Sequence, residues 1–128
     1  MNKNKKIILV AFGSNNLNKS IKRFLFQAEQ SKFYDQIKIF KENDFDQKMN
    51  NFILKITKEK KRGFGYWIWK PYFVLKVLEE SNFGDIVNYV DIGCHIIGEN
   101  KKRFNDYLNI LNDENIWLLP FQYKEDYK

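Results

Sequence analysis

One cysteine, one histidine, two prolines and six glycines are all that 128 residues offer of the types that mark covalent staples, imidazole clusters or loop-rich chains. The lone Cys94 excludes an intrachain disulfide and fits a reducing compartment. The lone His95 excludes any site built on several imidazoles. Long apolar runs are also missing. The longest, Ile7 to Phe12, falls far short of the about 20 residues of a membrane span, and no small-residue cleavage site follows it. The sequence therefore reads as cytoplasmic. Its basic run "KEKKR" (Lys58 to Arg62) allows peripheral contact with the inner face of a membrane, or else is a solvated helix end.

What is present supports a packed interior. Hydrophobic residues make up 44% and aromatics 17%, which excludes a disordered chain. Lys and Arg number 22 against 16 Asp and Glu, a net charge of +6 that favours phosphate-bearing partners.

The patterning predicts alternating strands and helices. "IILVAF" (Ile7 to Phe12) has no polar alternation, as expected of a strand covered on both faces. Leu17, Ile21, Phe24, Leu25 and Ala28 then share a helical face. "QIKIF" (Gln36 to Phe40) reads as a second strand. In "DFDQ", Asp44 is expected to cap a helix whose apolar side carries Phe45, Met49, Phe52, Ile53 and Ile56. Pro71 suits the first turn of the next helix, with Pro71, Val74, Leu75 and Leu78 as its predicted buried face and Gly84 as its stop. "DIVNYVDIG" is a strand, and Phe104, Leu108 and Leu111 mark a further helix. "IWLLPF" (Ile116 to Phe121) is predicted as a last, edge strand. This order implies one α/β domain over residues 1–128, a three-layer sandwich with a mostly parallel sheet.

Ligands of open α/β sheets bind beyond the C-terminal strand ends, and two segments fall there. "GSNN" (Gly13 to Asn16) offers backbone amides to a phosphate, or is a turn with an Asn cap. Asp91 ends its strand as a ligand for Mg²⁺ or Mn²⁺, or as a turn cap, and Gly93 permits close backbone approach. In "GFGYWIWKP", Tyr66, Trp67 and Trp69 can stack on a base or sugar while Lys70 meets a phosphate. The competing reading seals a helix onto the sheet with these rings and leaves Lys70 solvated. His95, beside the Asp91 segment, reads as a ligand or base or, as for most lone histidines at a strand end, as structural, and Cys94 as a small buried residue. The acid pairs Glu79–Glu80 and Asp113–Glu114 read as solvated helix ends.

"RGFGYWIWKPYFVLKVLEE" followed by "GDIVNYVDIGC" resembles a signature of bacterial and viral sugar transferases with the GT-A nucleotide-diphospho-sugar fold, which is Rossmann-like. The resemblance implies a nucleotide-diphospho-sugar donor and a glycan or lipid-linked acceptor. It places Phe12, Gly13 and Ser14 near the nucleotide, Lys70 by the donor phosphates, and Asp91 on the metal- and diphosphate-binding carboxylate, with Mn²⁺ or Mg²⁺ as the implied cofactor. Gly93 stands where a full D-x-D has its second carboxylate. The length matches the donor-binding half of such a domain, so truncation is expected. Two other functions remain open. One is a non-catalytic remnant that self-associates; the other is a basic, aromatic nucleic-acid-binding module, although no specific nucleic-acid motif is present.

Overall fold

An uninterrupted apolar run has no polar face to offer water, and Ile7–Phe12 indeed forms the central strand, β1, of a parallel sheet. The computed structural model describes residues 5–59, 67–113 and 115–121. β2 (Gln36–Phe40) and β3 (Ile86–Tyr89) flank β1 in the order β2-β1-β3. Phe12 pairs with Phe40, and Val10 with Tyr89. Leu9, Val10 and Ala11 are wholly buried, while β2 and β3, each with one open edge among the described residues, are half-buried throughout.

The period of two along β1 divides the core. Ile8, Val10 and Phe12 pack with Phe45, Ile53, Trp69, Phe73 and Val77. Leu9 and Ala11 pack with Ile21, Phe24, Ala28 and Ile92. The first cluster brings in α2 (Gln47–Glu59) and α3 (Trp69–Glu80), the second α1 (Asn18–Ser31). Helices thus cover both faces of a small open parallel sheet, and the α/β expectation holds.

Several local expectations are corrected. Asp46, two residues past the expected cap, accepts the Met49 N–H at 2.7 Å and starts α2. Asp44 instead accepts the Lys41 N–H at 2.7 Å and closes a preceding 3₁₀ turn. The buried residues of α3 are Trp69, Phe73 and Val77, whereas Leu75 and Leu78 are exposed. Both stripes of α3 are apolar, and the one with the larger rings faces the sheet. Gly84 does not stop α3, which ends at Glu80. With φ 93 it sits inside the turn closed by Asp85 N–H on the Asn82 carbonyl, where the left-handed backbone favours glycine. Glu80 is not merely solvated, since Lys38 on β2 reaches it at 2.9 Å. The basic run lies outside the described residues except for Lys58 and the backbone of Glu59.

By contact, the chain forms two units, residues 1–98 and 99–128. The second holds α4 (Lys101–Leu111), the helix that Phe104, Leu108 and Leu111 mark in the sequence, and these three are half-buried. Residues 116–121 form no strand: the run has an apolar composition but no pairing partner among the described residues. Among the described residues no helix is long and apolar enough to cross a membrane.

Candidate functional site

The connection from β1 to β2 runs through α1 on one face, and the return to β3 runs through α2 and α3 on the other. This change of side opens a crevice between the C-terminal ends of β1 and β3, the point where such sheets bind ligands. A cavity of about 290 Å³ lies there. Phe12, Ser14 and Leu17 line it from the end of β1, Trp67 and Trp69 from the start of α3, and Asp91, Ile92 and Gly93 from the end of β3. Six residues singled out from the sequence, Phe12, Ser14, Trp67, Trp69, Asp91 and Gly93, therefore converge on one space. A larger hollow of about 460 Å³ lies over Met49, Phe52 and Tyr72, but the Asp46 carboxylate at its rim is committed to capping α2.

Lys70, in the first turn of α3, completes the group. Its ammonium lies 2.9 Å from each carboxylate oxygen of Asp91. It also lies 5.5 Å from the Trp69 ring centroid and 5.6 Å from that of Tyr89. The Tyr89 hydroxyl donates to Asp91 Oδ1 at 3.0 Å. Burial, and then the neighbouring carboxylate, hold the Tyr89 phenol well above the usual tyrosine range. It stays a protonated donor. Neither the turn-cap reading of Asp91 nor the solvated reading of Lys70 describes this arrangement, because each side chain is the other's partner across 21 residues.

The β1–α1 loop differs from expectation. Gly13 is buried, and its N–H donates to the Phe40 carbonyl at 3.0 Å, extending the ladder to β2. A Cβ there would lie 2.7 Å from Ile21 Cγ1 and 3.3 Å from Ile92 Cγ1, so glycine serves close packing of α1 on the sheet. The Asn15 N–H, one of the amides expected to face a phosphate, is held by both oxygens of Glu42 at 2.9 Å. Ser14 and Asn16 hydrogen-bond to each other through their side chains, and neither caps α1. Gly93, by contrast, faces open space. Tyr66 lies outside the described residues.

Sequence reasoning passed over the residues that hold the β3 exit loop. Arg23 on α1 donates to the carbonyls of Ile92 at 2.9 Å and Cys94 at 2.8 Å. Gln27, one turn on, accepts from Arg23 at 2.9 Å and contacts His95 Nδ1 at 3.0 Å. Their only signal was a polar pair at i and i+4, which reads equally as solvated helix surface. His95 is exposed, with Gln27 on its Nδ1. Cys94 is exposed rather than buried, since the turn that bonds its N–H to the Asp91 carbonyl leaves the thiol outside.

The donor set fits a resident divalent cation poorly. Such ions take six or more oxygens, whereas here one carboxylate is already matched by an ammonium. No group of three or more His, Cys, Asp or Glu suited to a metal occurs among the described residues. What the arrangement offers is an aromatic wall and a paired carboxylate and ammonium at a strand-end crevice. No protein-family model, curated protein or solved structure was found to match the chain.

Proposed function

We propose that the chain binds a nucleotide-diphospho-sugar in this crevice and serves sugar transfer to a glycan or lipid-linked acceptor on a GT-A-like domain. The observation that carries the reading is the meeting of Phe12, Ser14, Trp67, Trp69, Asp91 and Gly93 at the β1/β3 switch point, with Lys70 beside them. The exposed ring of Trp67 is the surface for a base or sugar. Lys70 is the cation for the diphosphate, whose negative charge grows as the bond to the sugar breaks. Asp91 is an acceptor for sugar or ribose hydroxyls once its own partner moves.

The test is thermal denaturation with uridine and guanosine diphosphates and their sugar conjugates, with and without Mn²⁺. A ligand at about 100 times its Kd stabilises by about 2.7 kcal/mol, a rise on the order of 10 °C in Tm. No shift across the panel at millimolar concentrations removes the reading. A second reading, self-association, is favoured by Leu75 and Leu78, 57% and 50% exposed on the outer side of α3. Light scattering that finds a monomer at all concentrations removes that one.

A further inference from the structure

Asp91 lines the crevice, and Lys70, in the first turn of α3, is paired with it. We propose that the Lys70–Asp91 ion pair is an internal latch, in which the Asp91 carboxylate occupies the place on Lys70 that a phosphate oxygen of the ligand takes on binding. This rests on the donor-site reading above and adds to it a competition between a side chain and the ligand.

Three observations carry it. The ammonium lies equally close, at 2.9 Å, to both oxygens of Asp91, so the carboxylate uses it in bidentate fashion. The rings of Trp69 and Tyr89 stand 5.5 and 5.6 Å from the same ammonium and flank it while it is paired. The pair is nonetheless open to water, with side-chain exposures of 34% for Lys70 and 49% for Asp91. The paired site carries no net charge, so an arriving diphosphate gains little attraction until the pair parts. A half-exposed pair is also weak enough for a multivalent anion to part it.

The chemistry sets a sign. If Asp91 competes with the ligand for Lys70, removing its charge strengthens anion binding. If Asp91 acts as a ligand-binding carboxylate in its own right, removing it weakens binding. From the usual strength of exposed pairs, opening the latch permanently raises affinity about two- to fivefold.

The experiment measures inorganic pyrophosphate and uridine diphosphate binding by tryptophan fluorescence and calorimetry, in metal-free buffer, for the wild type, Asp91→Asn, Lys70→Met and the double variant. The expected result is pyrophosphate binding about two- to fivefold tighter in Asp91→Asn than in the wild type. Lys70→Met and the double variant are expected to bind equally weakly. In the unsubstituted protein, the Asp91 carboxyl carbon resonance is expected to move on pyrophosphate addition and saturate with the same Kd, a readout independent of any variant's folding. Equal or weaker pyrophosphate binding by Asp91→Asn, or a stationary Asp91 resonance, overturns the latch even where uridine diphosphate binds the wild type. Tighter pyrophosphate binding by Asp91→Asn with no response to any nucleotide supports the latch and removes the nucleotide reading.

Discussion

Replacing Gly13 with alanine separates two reasons for a glycine at the end of β1, close approach of a ligand and close packing of the chain on itself. The added methyl would sit 2.7 and 2.8 Å from Ile21 Cγ1 and Cδ1, and 3.3 Å from Ile92 Cγ1. All three are inside the 3.5–4.0 Å optimum for carbon pairs. Gly13 is not among the positive-φ residues, so the penalty is steric rather than conformational. Overpacking of this kind costs about 1–3 kcal/mol, and the stiffer unfolded chain returns about 0.4–1 kcal/mol. The net loss is about 0.5–2 kcal/mol, which lowers Tm by roughly 4–8 °C per kcal/mol in a domain of this size. Ile21→Ala alone opens a hole and costs about 2–4 kcal/mol. In the double variant the new methyl partly fills that hole, so the combined loss is expected to fall short of the sum by about 1 kcal/mol. Urea titration of the four proteins measures this coupling. Additive losses, or a Gly13→Ala protein as stable as the wild type that has lost its nucleotide response, would refute the packing argument.

Two further outcomes follow from groups around the sheet. The Asp85 carboxyl is held below its usual range by the Lys6 N–H and then the Asn82 N–H, which it accepts at 2.9 Å each. A carboxyl lowered in the folded state stabilises above its unfolded value of about 3.9 and loses that contribution as pH falls through the folded value. Asp85→Asn is therefore expected to flatten the acid limb of urea midpoint against pH below about pH 4, and an unchanged limb rules this out. Arg23→Lys removes a guanidinium fork that spans two carbonyls and leaves a single point charge. Amide exchange of residues 93–96 is expected to quicken on the order of tenfold with little change in Tm, and unaltered exchange there shows that Arg23 does not hold the loop.

The parts of the fold visible in the sequence are those fixed by short-range periodicity under a single burial demand. β1 was legible because an apolar run with no polar face has only one comfortable place in such a chain. α3 was not, because Pro71, Val74, Leu75 and Leu78 make one apolar stripe and Trp69, Phe73 and Val77 another. Periodicity cannot choose between them. The choice falls to ring size: Phe73 stacks on Phe40 at 4.3 Å and on Phe45 at 5.0 Å, contacts that no leucine on the other stripe replaces. The α2 cap was misread for a similar reason, two aspartates two residues apart, each able to close a turn. The Lys70–Asp91 pair and the Arg23 fork were invisible for a different reason. They join residues 21 and about 70 positions apart, which only the β2-β1-β3 order brings together.

The two readings of the aromatic cluster, core seal and ligand wall, apply to different rings. Trp69 is 8% exposed and stacks on Phe12 at 4.7 Å, so it belongs to the interior and shows the crevice only an edge. Trp67, two residues earlier, is 40% exposed and holds φ at 57°. The left-handed region costs a non-glycine residue about 1–2 kcal/mol and persists only where the surroundings demand it. An extended backbone at 67 would satisfy the local preference of a bulky aromatic residue. The backbone is instead bent at that position, and Trp67 lines the crevice together with Asp91. Trp69 thus anchors α3 to the end of β1, which fixes where Lys70 emerges, while Trp67, just ahead of the helix, lines the crevice with Asp91. One short stretch at the start of α3 supplies both seal and site because the backbone is left-handed at Trp67, whose ring stays exposed, and helical by Trp69, whose ring packs inward.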